Sequence, residues 1–232
     1  MVRFGARKAL TLLLGAVVVF GLSSCLGPHK INKWVAQHYR DEPPADPPRK
    51  KNEPIAISSA LPESGVKLSE TQKNWSHLLP LLFYWQFDYR NTCTLNPEIG
   101  INNFTSTVFA YAGHGLKQKI TGYHLELKIE QLPQAFLLDD KGHLIWVIVT
   151  AVGWEKLSVQ PTTKDMVVAY RLLGSNNEEL KKGTITIADN EKNLTLGMFQ
   201  SLRKMTKQHL SNYDANITAM TKRFVDKLVT EL

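Results

Sequence analysis

Apolar and polar residues alternate most clearly in the middle of the chain, where they predict β-strands. Between residues 80 and 90, large apolar side chains fill every second position, and this period of two predicts a strand. The first half of that segment is apolar on both faces, which is typical of a central strand covered on each side. Residues 123–130 predict a second strand with one buried and one exposed face.

Further strands are predicted nearer the C-terminus. Residues 144–152 are almost wholly apolar and β-branched, which is typical of one buried central strand. Alternation predicts strands over 166–172 and 184–187, and Gly174-Ser175-Asn176-Asn177 between them indicates a hairpin. Asp139-Asp140-Lys141-Gly142 could be mistaken for a metal-binding pair. We interpret it as a hairpin turn between two strands, because Asp and Gly adopt the backbone geometry of such turns.

One helix is predicted between the first two strands, over residues 97–113. Asn96 is suited to the N-cap, Pro97 to the first helical position and Glu98 to the first turn. Apolar residues then follow at gaps of three or four. Gly113-His114-Gly115 predicts the end of this helix.

The last segment, residues 194–232, carries a single apolar stripe at helical spacing. Ser211 to Asp214 favour caps over helix interiors, which leaves a break into two helices as an alternative. Basic residues on the opposite face leave a membrane-surface helix open, but such a stripe favours packing on a sheet. The stripe comprises Phe199, Leu202, Met205, His209, Tyr213, Ile217, Met220, Phe224 and Leu228.

The order of these elements predicts an α+β fold. A strand is followed by a helix, four strands and a final helix, so helices and strands do not alternate regularly. We expect a mostly antiparallel sheet of about five strands, with two helices packed on one face. The longer of the two helices is C-terminal.

The N-terminus has the layout of a signal peptide. Arg3, Arg7 and Lys8 precede an uncharged apolar run from Ala9 to Leu22. That run is shorter than the roughly 20 residues that a helix needs to cross the hydrocarbon layer, so a permanent span is disfavoured. Residues 1–24 are therefore predicted to be removed.

Residues 25–74 are predicted to form a tether, and residues 75–232 a single globular domain. Lys30 to Arg40 could form a short helix, but the prolines at 43–48 cannot continue it. Arg49-Lys50-Lys51 has two interpretations: a solvated charge run, which we favour, or a contact with anionic lipid headgroups.

Charge and cysteine content narrow the function. Loss of the three signal-peptide cations lowers the net charge of +7, and the remaining Lys and Arg are interspersed with Asp and Glu. Nucleic-acid binders instead cluster basic residues on one element, so we expect no nucleic-acid partner. Of the two cysteines, Cys93 would be left alone if Cys25 carried lipid, and we expect it to be packed without an internal disulfide.

No catalytic constellation stands out in the sequence. The seven histidines show no metal-binding spacing, and no Cys-x-x-Cys pair, nucleophile elbow or phosphate-binding loop is present. His114, between two glycines, is the one histidine of interest, and solvation is its simplest interpretation. Asp88 and Arg90 could pair on the surface as neighbours on one strand face. We predict neither catalytic residues, nor a cofactor, nor a metal.

Phe83, Tyr84 and Trp85 form the candidate partner or ligand face. They lie in the strand that is apolar on both faces, so something must cover each face. Core packing would satisfy that need. An acyl chain or a partner protein is the alternative.

Leu22-Ser23-Ser24-Cys25 resembles the lipobox of bacterial lipoproteins. The resemblance implies acylation of the Cys25 thiol and cleavage just before it; an ordinary secretory signal is the alternative. Several acyl chains would make a stable anchor, since a single chain binds a membrane only marginally. Leu26 stands where an aspartate would signal inner-membrane retention in enteric-type bacteria, which favours the outer membrane and its periplasmic face.

The order of elements and the long last helix resemble auxiliary lipoproteins of envelope lipid-transport and lipopolysaccharide-assembly systems. That resemblance implies a domain that performs no chemistry and docks on an envelope protein. The expected function is therefore a non-enzymatic accessory of an envelope assembly or lipid-transport complex. The alternative is a protein that binds a lipid or another hydrophobic ligand between the sheet and the last helix.

Overall fold

The computed structural model describes residues 28–41, 54–61, 67–72, 75–79, 82–113, 115–147, 150–197 and 200–232. In chain order, the elements are α1 (Pro28–Asp41), β1 (Ile55–Ser59), β2 (Lys67–Gln72), β3 (Trp75–Leu79), β4 (Leu82–Thr94), α2 (Pro97–Tyr111), α3 (Leu116–Lys119), β5 (His124–Gln131), β6 (Ala135–Val147), β7 (Thr150–Pro161), β8 (Met166–Leu173), β9 (Glu179–Ile187), β10 (Leu194–Thr195) and α4 (Leu202–Glu231).

The predicted α+β class is confirmed, and the strands are divided between two sheets. The first sheet has the order β1-β5-β8-β9, in which β1 is parallel to β5 and the other pairs are antiparallel. The second has the order β10-β7-β6-β4-β2, and β3 also pairs with β4. All pairs in the second sheet are antiparallel.

Helix α4 packs against both sheets and against the other helices, so its buried stripe organises the core. It contacts α1, α2 and α3 as well as β7, β9 and β10. The predicted stripe is buried, and His209 within it faces Glu191, with 3.0 Å between Nδ1 and Oε1. Both side chains are buried at this contact. Phe199 lies outside the described residues.

The alternative of a break in the last helix is wrong, because α4 is continuous over 30 residues. Ser211 and Asn212 point into solvent, while the Tyr213 hydroxyl is buried and donates to the Pro133 carbonyl at 2.9 Å. The helix begins at Leu202, where the Ser201 hydroxyl caps it by accepting from the Lys204 amide. The polar residues therefore lie off the packed face and do not interrupt it.

Helix α2 follows its local sequence signals. The Asn96 side chain accepts from the Glu98 amide at 3.1 Å, and Pro97 opens the first turn. The helix ends before Gly113, and Gly115 adopts a positive φ of 97° that favours glycine. His114 lies outside the described residues. No described helix combines the length and the apolar character that a membrane crossing requires.

Two strand predictions are wrong because both misplace the connection between β6 and β7. Residues 144–152 are not a single buried strand, since β6 ends at Val147 and β7 starts at Thr150, and the two pair antiparallel. The sequence Asp139-Asp140-Lys141-Gly142 is not a turn, because all four residues pair inside β6 with both β4 and β7. Only Ile148 and Val149 join β6 to β7, and neither is a residue that favours two-residue hairpin turns.

The predicted tether needs correction, since parts of 25–74 belong to the folded domain. The expected short helix exists as α1, but Ile31 and Val35 are 1% and 2% exposed and join the main core. Strand β1 pairs with β5 along its whole length. These are long-range contacts that local composition does not encode. The proline-rich stretch and Arg49-Lys50-Lys51 lie outside the described residues.

Asp214 of α4 ties α1 to the helical layer. One carboxylate oxygen lies 3.6 Å from His38 Nε2, and the other accepts from the Tyr39 hydroxyl at 3.4 Å. Burial raises the pKa of Asp214, although His38 and the hydrogen bonds to the carboxylate act in the opposite direction. Burial also raises the pKa of Tyr39, with Asp214 as the next cause. The junction therefore keeps the Tyr39 phenol neutral.

Replacing Ile31 with alanine tests whether α1 is part of the folded unit. We expect Ile31→Ala to lower the free energy of unfolding by about 2–4 kcal/mol, because it leaves a cavity in the core. The matched control is Lys33→Ala, an exposed position on the same helix, with an expected change below about 0.5 kcal/mol. Urea denaturation measures both, and equal stability of the two variants would contradict the correction.

Candidate functional site

The second sheet continues past the hydrophobic core. The first seven residues of β7 are all exposed, whereas Ser158 and Val159 near its other end are buried. Strand β6 shows the same gradient from buried Phe136 to exposed Val147. We call the outlying part of this sheet the blade, comprising residues 75–79, 82–88, 141–147 and 150–156. None of its described side chains belongs to the main core.

The blade has two faces, which the strand register defines. Residues at every second position of a strand share a face. We call the face that carries Cys93, Phe136 and Val159 at the core end the inner face, and the opposite one the outer face. Cys93 is buried there, as expected, and burial raises the pKa of its thiol from 9.0 to about 12. Farther out, the inner face carries Phe83 opposite Trp146 and Trp85 opposite Leu144.

The outer face carries an aromatic contact chain that crosses three strands. The Tyr84 hydroxyl lies 2.7 Å from His143 Nδ1 and donates to Gln86 Oε1 at 2.9 Å. The tautomer of the His143 ring sets which of these two groups donates to the other. The His143 ring in turn stacks on Trp154, with 5.1 Å between centroids and 22° between planes. Tyr84 is thus held by polar contacts, and Trp154 by ring stacking.

The sequence-predicted face is therefore split by the structure. Phe83 and Trp85 lie on the inner face and Tyr84 on the outer face, and all three are partly buried. Cys25, the predicted lipidation site, lies outside the described residues. These positions alone do not form one continuous surface.

The exposed apolar surface lies mainly on β6 and β7, where we had predicted a buried strand. Among the described residues, only two large apolar side chains outside the blade, Tyr123 and Leu180, are exposed to a similar extent. The blade contributes four: Trp146, Val147, Val152 and Trp154 at 42%, 47%, 58% and 51% exposure. They stand on adjoining strands, with Trp146 on the inner face and Val147, Val152 and Trp154 together on the outer face. Exposed apolar patches of this kind mark interaction sites.

A charged network crosses the base of the blade on its outer face. Asp139, with 4% of its side chain exposed, lies 3.5 Å from Arg90 Nε and 3.3 Å from Lys141 Nζ. Lys141 also lies 3.8 Å from Asp88. Asp88 and Arg90 therefore pair with residues of the neighbouring strand. The suggested pairing of these two residues with each other is not found. On the outer face, the residues farther from the core than this network carry no charge.

On the inner face, Asp140 and Glu155 form a close carboxyl pair. Burial raises the pKa of Asp140 from 3.8 to about 7, with further contributions from Glu155, Asp139 and Asp88. Asp140 is therefore about half protonated near pH 7, far above the usual titration range of a carboxyl, and hydrogen bonding with Glu155 is one cause of this shift. Among the described residues, no group of three or more His, Cys, Asp or Glu side chains is placed to hold a metal ion.

No family model, no curated protein and no solved structure matches the chain. The geometry of the blade is therefore the basis for a functional assignment. It offers exposed aromatic and aliphatic side chains on a hydrogen-bonded sheet that is rooted in the core. Such a surface is suited to binding.

The carboxyl pair predicts a pH dependence of stability. The pKa of Asp140 is raised on folding, so between about pH 4 and pH 7 the folded state binds more protons than the unfolded state. The free energy of unfolding therefore falls as the pH rises through this range. Asp140→Asn removes this penalty. We expect a flatter pH profile and a gain on the order of 1–2 kcal/mol at pH 8.

Urea denaturation at a series of pH values measures this effect. Glu130→Gln, an exposed carboxyl on β5, is the matched control and should keep the profile of the unmodified protein. An unchanged decline in Asp140→Asn would show that another group carries the pH dependence.

Proposed function

We propose that the protein is a lipid-anchored lipoprotein of the bacterial outer membrane that faces the periplasm. It acts as a non-enzymatic accessory, or docking module, of an envelope assembly or lipid-transport complex. The signal-peptide layout and the lipobox ending at Cys25 support the anchor. The blade supports the docking role, and it is the observation that carries the proposal.

The blade has the properties of a preformed binding element. Its strands are hydrogen-bonded along continuous registers into the core, so its exposed residues are positioned before any partner arrives. Trp146 and Trp154 are the residue type most enriched at binding hot spots, because they combine a large apolar area with a polar group. Preorganisation of this kind reduces the entropy that binding must overcome.

The position of α1 supports a domain that is held near its membrane. Only Leu26 and Gly27 separate Cys25 from the first residue of α1, and these links can span at most about 10 Å. Helix α1 is packed into the core through Ile31 and Val35. With lipid on Cys25, the folded domain is therefore restricted to the membrane surface.

The alternative function, a hydrophobic ligand between the sheet and the last helix, has less support. The helix side of that interface is filled by Met205, Ile217 and Phe224, each 0% exposed. On the sheet side, Leu125 and Val168 are also 0% exposed. These side chains pack directly into one core cluster, so no observation in the described residues favours a ligand there.

Site-specific photo-crosslinking in intact cells tests the docking role. A photoreactive amino acid at Trp154 should crosslink to one envelope protein, because this position lies on the docking surface. The matched position is Leu180, which has a similar exposure of 48% but lies on β9, outside the blade. Leu180 should give no such product.

A Cys25→Ala variant separates the anchor from the docking surface. It should lose the acyl chains that mass spectrometry detects on Cys25 of the unmodified protein, and the Trp154 crosslink should weaken strongly because the domain is no longer held at the outer membrane. A crosslink of equal strength from Trp154 and Leu180, or none from Trp154, would contradict docking through the blade. An unacylated Cys25 in the membrane-bound protein would contradict the lipid anchor.

A further inference from the structure

We propose that the chain dimerises through the edge of the blade, with residues 150–156 of β7 pairing antiparallel to the same residues of a second copy. This inference goes beyond the proposed function, because it names a second copy of the chain as a binding partner. Strand pairing uses the edge of the blade and leaves its two faces open. Dimerisation and docking on an envelope protein are therefore separable.

Strand β7 has an open edge. Among the described strands, its neighbour on the side away from β6 is β10, which pairs only Leu194 with Val159 and Thr195 with Ser158. Residues 150–156 extend beyond β10 and are all exposed. An unpaired edge of this kind is a template for pairing with another chain.

The hydrogen-bond pattern shows which backbone groups point to the open edge. In an antiparallel sheet, successive residues of a strand direct their N–H and C=O groups alternately to the two sides. The Leu157 carbonyl accepts from the Leu196 amide at 2.9 Å, so Leu157 points away from β6. Because the β6–β7 register is unbroken along the whole strand, every second residue before Leu157 points the same way. These residues are Ala151, Gly153 and Glu155.

The first sheet shows how an edge of this protein can be protected. Its edge strand β9 carries Lys181 and Lys182, and the Lys227 ammonium of α4 donates to the Thr186 carbonyl at 3.3 Å. Charged side chains at an edge disfavour pairing with a second chain. Residues 150–154 of β7 include no Asp, Glu, Lys or Arg, so this edge lacks that protection.

One two-fold register pairs all three residues that point to the open edge. It places Gly153 opposite Gly153 of the second copy and Ala151 opposite Glu155, and the second of these pairs occurs twice by symmetry. Each pair exchanges two backbone hydrogen bonds. On the outer face, the same register places Val152 opposite Trp154, and pairs of an aromatic and a β-branched residue stabilise antiparallel strands. The edge is therefore self-complementary.

The neighbouring two-fold registers are less suitable. A register centred on Glu155 places two carboxylates opposite each other, which is destabilising. A register centred on Trp154 places Ala151 opposite Leu157, whose carbonyl already accepts a hydrogen bond. A register centred on Val152 forms one hydrogen-bonded pair fewer within the strand, because β7 begins at residue 150. The pairing is therefore expected in a single register.

Cysteine crosslinking of the purified protein tests this register. The full chain carrying Cys25→Ser receives one new cysteine, by Val152→Cys, Trp154→Cys or Lys156→Cys, and the buried Cys93 is retained. All three positions are exposed. Opposed residues of a non-hydrogen-bonded pair lie about 4.5 Å apart between Cα atoms, within the range of roughly 4.4–6.8 Å that a disulfide spans. Diagonal neighbours lie about 7–8 Å apart, outside that range.

We expect a mixture of the Val152→Cys and Trp154→Cys variants to form several-fold more disulfide-linked dimer than a mixture of the Val152→Cys and Lys156→Cys variants. The first two positions are opposed, whereas Val152 and Lys156 are diagonal neighbours and serve as the matched control. Equal yields from the two mixtures, or no linked dimer, would overturn the proposal and leave the edge to a strand of another protein. Because Cys25 is replaced and no envelope protein is present, failure of the proposed function does not affect this result.

Adding Ala151→Pro to both variants of the first mixture tests pairing through the backbone. Proline removes an N–H group that points to the second copy, and edge strands tolerate proline where this group faces solvent. We expect the yield of linked dimer to fall several-fold, whereas Ala151→Ser, which keeps the N–H group, should leave it unchanged. Urea denaturation checks that both variants remain folded. An undiminished yield with proline would overturn pairing through the edge.

Discussion

The pairing of β4 with β6 is the constraint on which the rest of the structure depends. Every residue of β4 pairs with a residue of β6, from Leu82 opposite Val147 to Thr94 opposite Ala135. At the Thr94 end, Cys93 and Phe136 are buried in the core. The same unbroken register continues into the blade, where Trp146 and Val147 are exposed. The stability of the core is thereby transmitted to a surface that could not form by itself, because an isolated hairpin is only marginally stable in water.

Helix α4 gives the core the rigidity that this arrangement requires. Its stripe contacts both sheets, while Asp214 on another face holds His38 and Tyr39 of α1. Helix α4 thereby connects α1, which begins three residues after the proposed lipidation site, to the sheet that carries the blade. Packing against Phe136, whose ring centroid lies 4.7 Å from that of His209, completes this link. Helix α1 and the blade are therefore parts of one folded body.

Much of the fold could be predicted because its signals are local. The Asn96 cap, the Gly174–Asn177 turn and the α4 stripe each depend on residues within a few positions of one another. The pairing of β1 with β5 could not be predicted, since it joins segments far apart in sequence. The sequence predicts only part of the candidate site. The sequence points to Phe83, Tyr84 and Trp85, but residues 144–152 imitate a buried strand, because apolar side chains on an exposed surface give the same pattern as those in a core.

Hydrogen exchange on the full chain, alone and in complex with the envelope protein crosslinked from Trp154, tests most directly whether the blade is the functional surface. Docking through the blade predicts slower exchange in the complex at residues 82–88, 141–147 and 150–156. The β8–β9 hairpin, residues 166–187, should exchange at the same rate in both states. Unchanged exchange in the blade, together with new protection in the β8–β9 hairpin, would contradict the account.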